Sequence, residues 1–163
     1  MTEIITYRIS STGVWGYEFY DSSGKNVGLV SAVVSSSAPV RIESRNLQWY
    51  SQFDMDTTVI PGIGRRVMDN ASGQEVYRLI YWHREFYQAR SRNESIGIEI
   101  RNGAFLFGNN GMPVTAMTER IDRTGRTPQR GAEAEAYFRT VFYEEVSEAF
   151  ALMALSFPAM RFY

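Results

Sequence analysis

One histidine, sixteen arginines and no cysteine set the chemistry open to this chain of 163 residues. Without cysteine there is neither a disulfide nor a thiolate metal site. A lone histidine cannot build a His-rich one. That histidine, His83, falls in Tyr81-Trp82-His83-Arg84-Glu85, between two strand-like runs. If the strand continues through it, His83 and Glu85 share one face, which is the arrangement of a general acid–base pair. The same five residues read more readily as the tip of a hairpin, with His83 a surface turn residue. No serine stands in a nucleophile elbow, and no glycine-rich loop is followed by Lys and Ser/Thr. Asn109-Asn110-Gly111 is turn chemistry. No catalytic residue, metal ligand or cofactor is assigned.

The arginines are the other candidates. Lys25 is the only lysine among seventeen basic residues. Codon bias in a GC-rich genome explains that, and so does selection for bidentate recognition of phosphate or carboxylate. Their even spread along the chain favours the first explanation. Two segments nevertheless suit an anion. Pro61-Gly62-Ile63-Gly64-Arg65-Arg66 places two arginines behind a loop whose glycines free backbone amides, so Arg65 and Arg66 are the first candidate ligand-binding pair. Arginines guarding a strand edge would look the same. Arg120, Arg123 and Arg126, followed by Arg130, form a second, weaker candidate, offset by Glu119 and Asp122 and readable as a solvated loop.

These residues need a scaffold. Hydrophobic content of 44% and charged content of 21% are ordinary for a soluble globule, and the length suits one domain spanning 1–163. The net charge of −1 argues against general nucleic-acid binding, so no nucleic-acid partner is expected. Met1-Thr2-Glu3-Ile4 has neither the basic region nor the apolar core of a signal peptide. The apolar tail is shorter than the ~20 residues of a membrane span and is broken by Pro158. A soluble, cytoplasmic protein is expected.

Turn signals recur about every ten residues, between segments rich in Val, Ile, Tyr, Phe and Thr, as in short antiparallel strands. Strands are predicted at 4–9, 14–20, 27–34, 40–43, 49–55, 57–60, 66–68, 76–82, 85–89, 96–100, 104–107 and 114–117; 134–143 reads as a last strand or an early helix, and its β-formers Tyr137, Thr140, Val141, Phe142 and Tyr143 favour the strand. In 14–20, Trp15, Tyr17 and Phe19 share a face. Thr118 to Arg130 holds one large apolar residue, Ile121, and reads as an exposed loop. A single helix is predicted from about 146 to 158, with Ser147 as N-cap and Glu144, Glu145 and Glu148 where the helix dipole favours negative charge. From Ala149 to Leu155 no residue is polar, and a helix apolar all round must be buried on every side. A mainly β chain can surround such a helix by curling its sheet. The expected architecture is an antiparallel β-barrel of about a dozen strands enclosing a C-terminal apolar helix, with Phe150, Leu152, Met153 and Leu155 inaccessible.

One turn repeats. Asp21-Ser22-Ser23-Gly24-Lys25-Asn26-Val27, Asn70-Ala71-Ser72-Gly73-Gln74-Glu75-Val76 and Gly108-Asn109-Asn110-Gly111-Met112-Pro113-Val114 each put Gly three residues before Val. This predicts positive φ at those glycines. Hairpins of the form aromatic–turn–Gly–x–x–Val occur in Phe19-Tyr20-Asp21 through Val27 and Arg66-Val67-Met68-Asp69 through Tyr77. With the closing segment Tyr143-Glu144-Glu145-Val146 through Met160, they resemble the tubby C-terminal-like superfamily, which includes tubby, the phospholipid scramblases and the LURP-one-related proteins. The resemblance implies a barrel of about a dozen strands around a central C-terminal helix. Tubby itself binds phosphoinositide head groups in a Lys/Arg pocket. That pocket has no residue-by-residue match here, so no binding residue is carried over.

The leading expectation is a non-enzymatic binding or scaffold domain for an anionic ligand, such as a phospholipid head group, or for a protein partner. The alternatives are a small-molecule enzyme using His83 and Glu85, or a structural subunit of an assembly.

Overall fold

A computed structural model describes residues 1–11, 14–33, 40–44, 54–60, 64–69, 73–109, 114–126 and 133–161. Among them are twelve strands and one helix. The strands are β1 (Thr2–Ser11), β2 (Val14–Asp21), β3 (Asn26–Val33), β4 (Val40–Ser44), β5 (Asp54–Ile60), β6 (Gly64–Asp69), β7 (Glu75–His83), β8 (Phe86–Arg90), β9 (Ser95–Arg101), β10 (Ala104–Asn109), β11 (Ala116–Arg126) and β12 (Glu133–Phe142). The helix α1 spans Glu148–Arg161. The sheet is antiparallel throughout. Each strand pairs with its neighbours in the chain, and β1 pairs with both β2 and β12, so the strand order runs as a closed ring. Across the β1–β12 seam Arg139 of β12 reaches Glu3 of β1 (2.7 Å), and on its other side it reaches Glu119 of β11 (3.0 Å).

Alternation along the strands fills the interior. In β7 Tyr77 and Leu79 point inward, in β8 Tyr87 and Ala89, in β9 Ile96 and Ile98, and in β10 Phe105 and Phe107. They close on α1, whose residues 150–158 are buried without exception. Phe150, Leu152, Met153 and Leu155 are each 2% exposed or less. Phe157 packs edge-on against Tyr87, Phe105 and Phe107, with centroids 5.1, 5.3 and 5.9 Å apart. The polar side chain in this stretch, Ser156, donates its hydroxyl to the Leu152 carbonyl and so satisfies itself inside the helix.

The helix differs from expectation at both ends. It begins at Glu148 rather than near 146, because Ser147 is the cap: its Oγ accepts the Phe150 N–H at 3.2 Å and its carbonyl accepts the first helical bond from Ala151. It also passes through Pro158 to Arg161. A proline inside a helix costs ~3 kcal/mol, and burial on all sides holds the segment in place against that cost.

The segment 118–130 is not a loop throughout. Ala116–Arg126 is β11, an eleven-residue strand. Only Ala116, Met117 and Thr118 pair with β10, whereas β12 pairs along the strand as far as Arg126. This ladder, interrupted by a bulge between Arg120 and Arg123, carries a sequence too polar to declare itself. Of the two runs predicted at 49–55 and 57–60, residues 54–60 form one strand, and 49–53 lie outside the described residues. Gly24 and Gly73 have φ of 83° and 70°, as the repeated turn predicts; Gly111 lies outside the described residues. The first of these turns is also fixed by Asp21, whose Oδ1 accepts from the Ser23 N–H and hydroxyl and from the Lys25 N–H.

Candidate functional site

The outward residues of β6, β7 and β8 carry an unusual arrangement. Arg66 lies directly opposite Arg78, and Arg78 directly opposite Arg90. Adjacent strands are ~4.8 Å apart, so three arginines form a row about 10 Å long on the convex face of the sheet. Like charges directly opposite one another destabilise a sheet, so stability does not account for the row. One carboxylate enters it: Glu75 Oε1 accepts from Arg66 Nε at 3.0 Å and from Arg78 Nε at 3.1 Å. Arg139, by contrast, is paired with two acids.

These exposed pairs contribute at most about 1 kcal/mol each. Their effect is orientation. Arg66 and Arg78 are held through Nε by Glu75, and Arg90 is held through Nε by Gln88 Oε1 at 3.1 Å. Among the described residues, the terminal amino groups of all three are left for a ligand. A cleft of about 870 Å³ opens beside them, lined by Glu75, Arg78, Arg90, Arg92 and Asn93 among others. Arg92 is exposed at the turn between β8 and β9 and adds a fourth positive charge.

That turn is rigid. Ser91 N–H donates to the Glu94 carbonyl at 2.8 Å, and Ser91 Oγ accepts from the Glu94 N–H at 3.0 Å. The Glu94 side chain faces the helix start, where its carboxylate accepts from Ser147 Oγ and from the buried Tyr77 hydroxyl. Burial, then the hydrogen bond to Glu94 and its charge, pushes the Tyr77 phenol well above its ordinary range. The turn beside the cationic cleft thus also ties the start of α1 to the sheet.

The candidate arginines from the sequence do not come together. Arg66 is in the row. Arg65 lies opposite Leu79 and Val59 in the register, a different line from Arg66. Pro61, Gly62 and Ile63 lie outside the described residues, while Gly64 opens β6. Arg120, Arg123 and Arg126 belong to β11, opposite Phe138, Ala136 and Glu133. That strand is five places from β6 round the ring, through β10, β9, β8 and β7. The chain therefore offers two separate arginine groups rather than one site.

His83 and Glu85 sit exposed at the tip of the β7–β8 hairpin. The contact between them is the Glu85 backbone N–H donating to His83 Nδ1 at 3.3 Å, a turn interaction in which the carboxylate takes no part.

Arg78, Arg90, Arg92 and Glu75 escaped the sequence reading. The signal was present as symmetry. Arg66, Arg78 and Arg90 are spaced by twelve residues, and Arg78 and Arg90 lie six residues either side of Arg84, inside the turn that joins their strands. In a hairpin centred there, equidistant residues must pair.

Compared with known proteins, the chain matches no family model, no curated protein and no solved structure. Its chemistry is read from the geometry alone.

Proposed function

We propose that this chain is a non-enzymatic binding domain of tubby-like architecture that holds phosphate-bearing anionic ligands on the outer face of β6, β7 and β8. The observation that carries the reading is the row Arg66–Arg78–Arg90, three guanidinium groups in direct register, of which Arg66 and Arg78 share the Glu75 carboxylate and Arg90 is held by the neutral Gln88 amide. Guanidinium groups fixed through Nε present paired N–H donors to phosphate oxygens. An acidic phospholipid head group is one carrier of such phosphates. Among the described residues no helix is long and apolar enough to cross a membrane, so contact with lipid would be made from the sheet surface.

The test is titration of the wild type and of the double variant Arg66→Glu with Arg78→Glu, using inorganic tripolyphosphate and vesicles of phosphatidylcholine with phosphatidylserine. Binding by the wild type should weaken between 50 and 200 mM salt, because exposed charges are screened over ~10 Å at 0.1 M. The double variant should lose it. Failure of the wild type to bind either probe at low salt rejects the reading.

A further inference from the structure

The arginine row continues into an aromatic surface. Gln88 lies at the centre of the outer face of β8, and its Oε1 accepts two hydrogen bonds: from Arg90 Nε at 3.1 Å and from Trp82 Nε1 at 3.2 Å. Its Nε2 donates to Ser95 Oγ at 2.7 Å, which fixes the amide. One oxygen therefore pins the edge of an indole and the edge of a guanidinium side by side. Trp82 remains 56% exposed. Two residues along β8 from Gln88, about 7 Å, the Phe86 ring stands over Gly97, with its Cε2 and Cζ atoms 3.5 and 3.6 Å from where a Cβ would be. Aromatic side chains and oriented arginines thus share one sheet face within about 13 Å along β8.

We infer that this face binds single-stranded nucleic acid, with bases stacked on Trp82 and Phe86 and backbone phosphates on Arg66, Arg78, Arg90 and Arg92. The inference rests on the phosphate-binding reading above and names the ligand class. Three arginines in a row exceed what one phosphate needs and fit a polyanion. The aromatic side chains add what a bare polyanion does not use, since base–aromatic stacking is tolerant of sequence and suits an open sheet surface. Splayed single-stranded bases reach such a surface, and a duplex keeps its bases stacked internally. The net charge of −1 describes the whole chain; the field that a ligand meets here comes from four arginines on one face, with Glu75 between two of them and Glu99, opposite Phe86, paired with Arg101.

The experiment uses the full chain and fluorescence anisotropy of a labelled twelve-nucleotide oligo(U), with inorganic polyphosphate and phosphatidylserine vesicles as competitors. Neutralising three to four phosphates on a single strand predicts a slope of about −2 to −3 for log affinity against log salt. Trp82→Ala should weaken the oligonucleotide about tenfold or more while leaving polyphosphate binding unchanged; Trp82→Phe, which keeps a ring, should recover most of the loss. Arg90→Gln with Arg92→Gln should weaken both ligands, with unchanged melting temperature showing that the fold persists. Oligonucleotide binding indifferent to Trp82→Ala, polyphosphate held as tightly as the oligonucleotide, or preference for the vesicles each overturns the inference and leaves the phosphate-binding reading intact. Absence of binding to all three probes removes both.

Discussion

Phe157→Ala is the sharpest probe of the architecture. Phe157 is fully buried on α1 and meets three rings from two strands, Tyr87, Phe105 and Phe107, all edge-on at 5.1 to 5.9 Å. Truncating a buried phenylalanine costs ~3–5 kcal/mol. Each lost edge-to-face pair adds weight toward the upper end, since such pairs contribute about 0.5–1.5 kcal/mol beyond area. Total stability is ~5–15 kcal/mol, so the variant should fold with a large part of its margin gone. At about 2–4 °C per kcal/mol for a chain of this size, the melting temperature should fall by about 6–20 °C. Urea unfolding followed by circular dichroism is the assay, and the midpoint should drop with little change in slope. Phe157→Leu should lose less, because most of the volume stays. A loss for Phe157→Ala below about 0.5 kcal/mol, the range of surface substitutions, would mean that the helix does not sit where its burial places it.

Three further outcomes are expected. Gly64→Ala should cost ~1–3 kcal/mol or more in chemical denaturation, because φ is 151° and a Cβ would stand 2.0 Å from the Leu79 carbonyl oxygen, whereas Gly73→Ala, with open space around it, should show only the milder left-handed backbone penalty of ~1–2 kcal/mol. Ser147→Ala removes the N-cap and should cost about 0.5–2 kcal/mol by the same measurement; no change would refute the capping role of Ser147. Tyr77 is held protonated in the fold, so below pH ~10 both states carry the proton, and above it only the folded state does. Its contribution is therefore complete below pH ~10 and declines as pH rises, by up to about 1.4 kcal/mol per pH unit. Tyr77→Phe should be less steeply destabilised than the wild type between pH 10 and 11, and parallel curves would refute the assignment.

How much of this was legible depended on whether local and tertiary rules agreed. The hairpins from β7 to β10 alternate strongly, with Tyr77, Leu79, Tyr87, Ala89, Ile96 and Ile98 inward, and their strands were readable nearly residue by residue. The all-apolar run 149–155 announced burial because no solvated face was possible for it. Where tertiary structure overrode local chemistry, the reading failed. Arg120 to Arg126 are polar enough for a loop but are held by pairing to β12, and Pro158 stays helical within the packed interior. The site was hidden for another reason. Arg66, Arg78 and Arg90 are far apart in sequence and ordinary in type, and only the register of two hairpins brings them into line. Register depends on turn length and bulges, which a search for contiguous motifs does not weigh.

Arginine side-chain NMR offers the most direct test of where the anion binds. Nε–Hε signals of isotopically labelled protein, assigned by single Arg→Lys variants, are followed during titration with inorganic tripolyphosphate at low salt. The signals of Arg66, Arg78 and Arg90 should move together and saturate at one concentration, while Arg139, already held by Glu3 and Glu119, stays in place. Shifts confined to Arg120, Arg123 and Arg126 on the far strand, or no shift at any arginine, would contradict a phosphate site on the outer face of β6, β7 and β8.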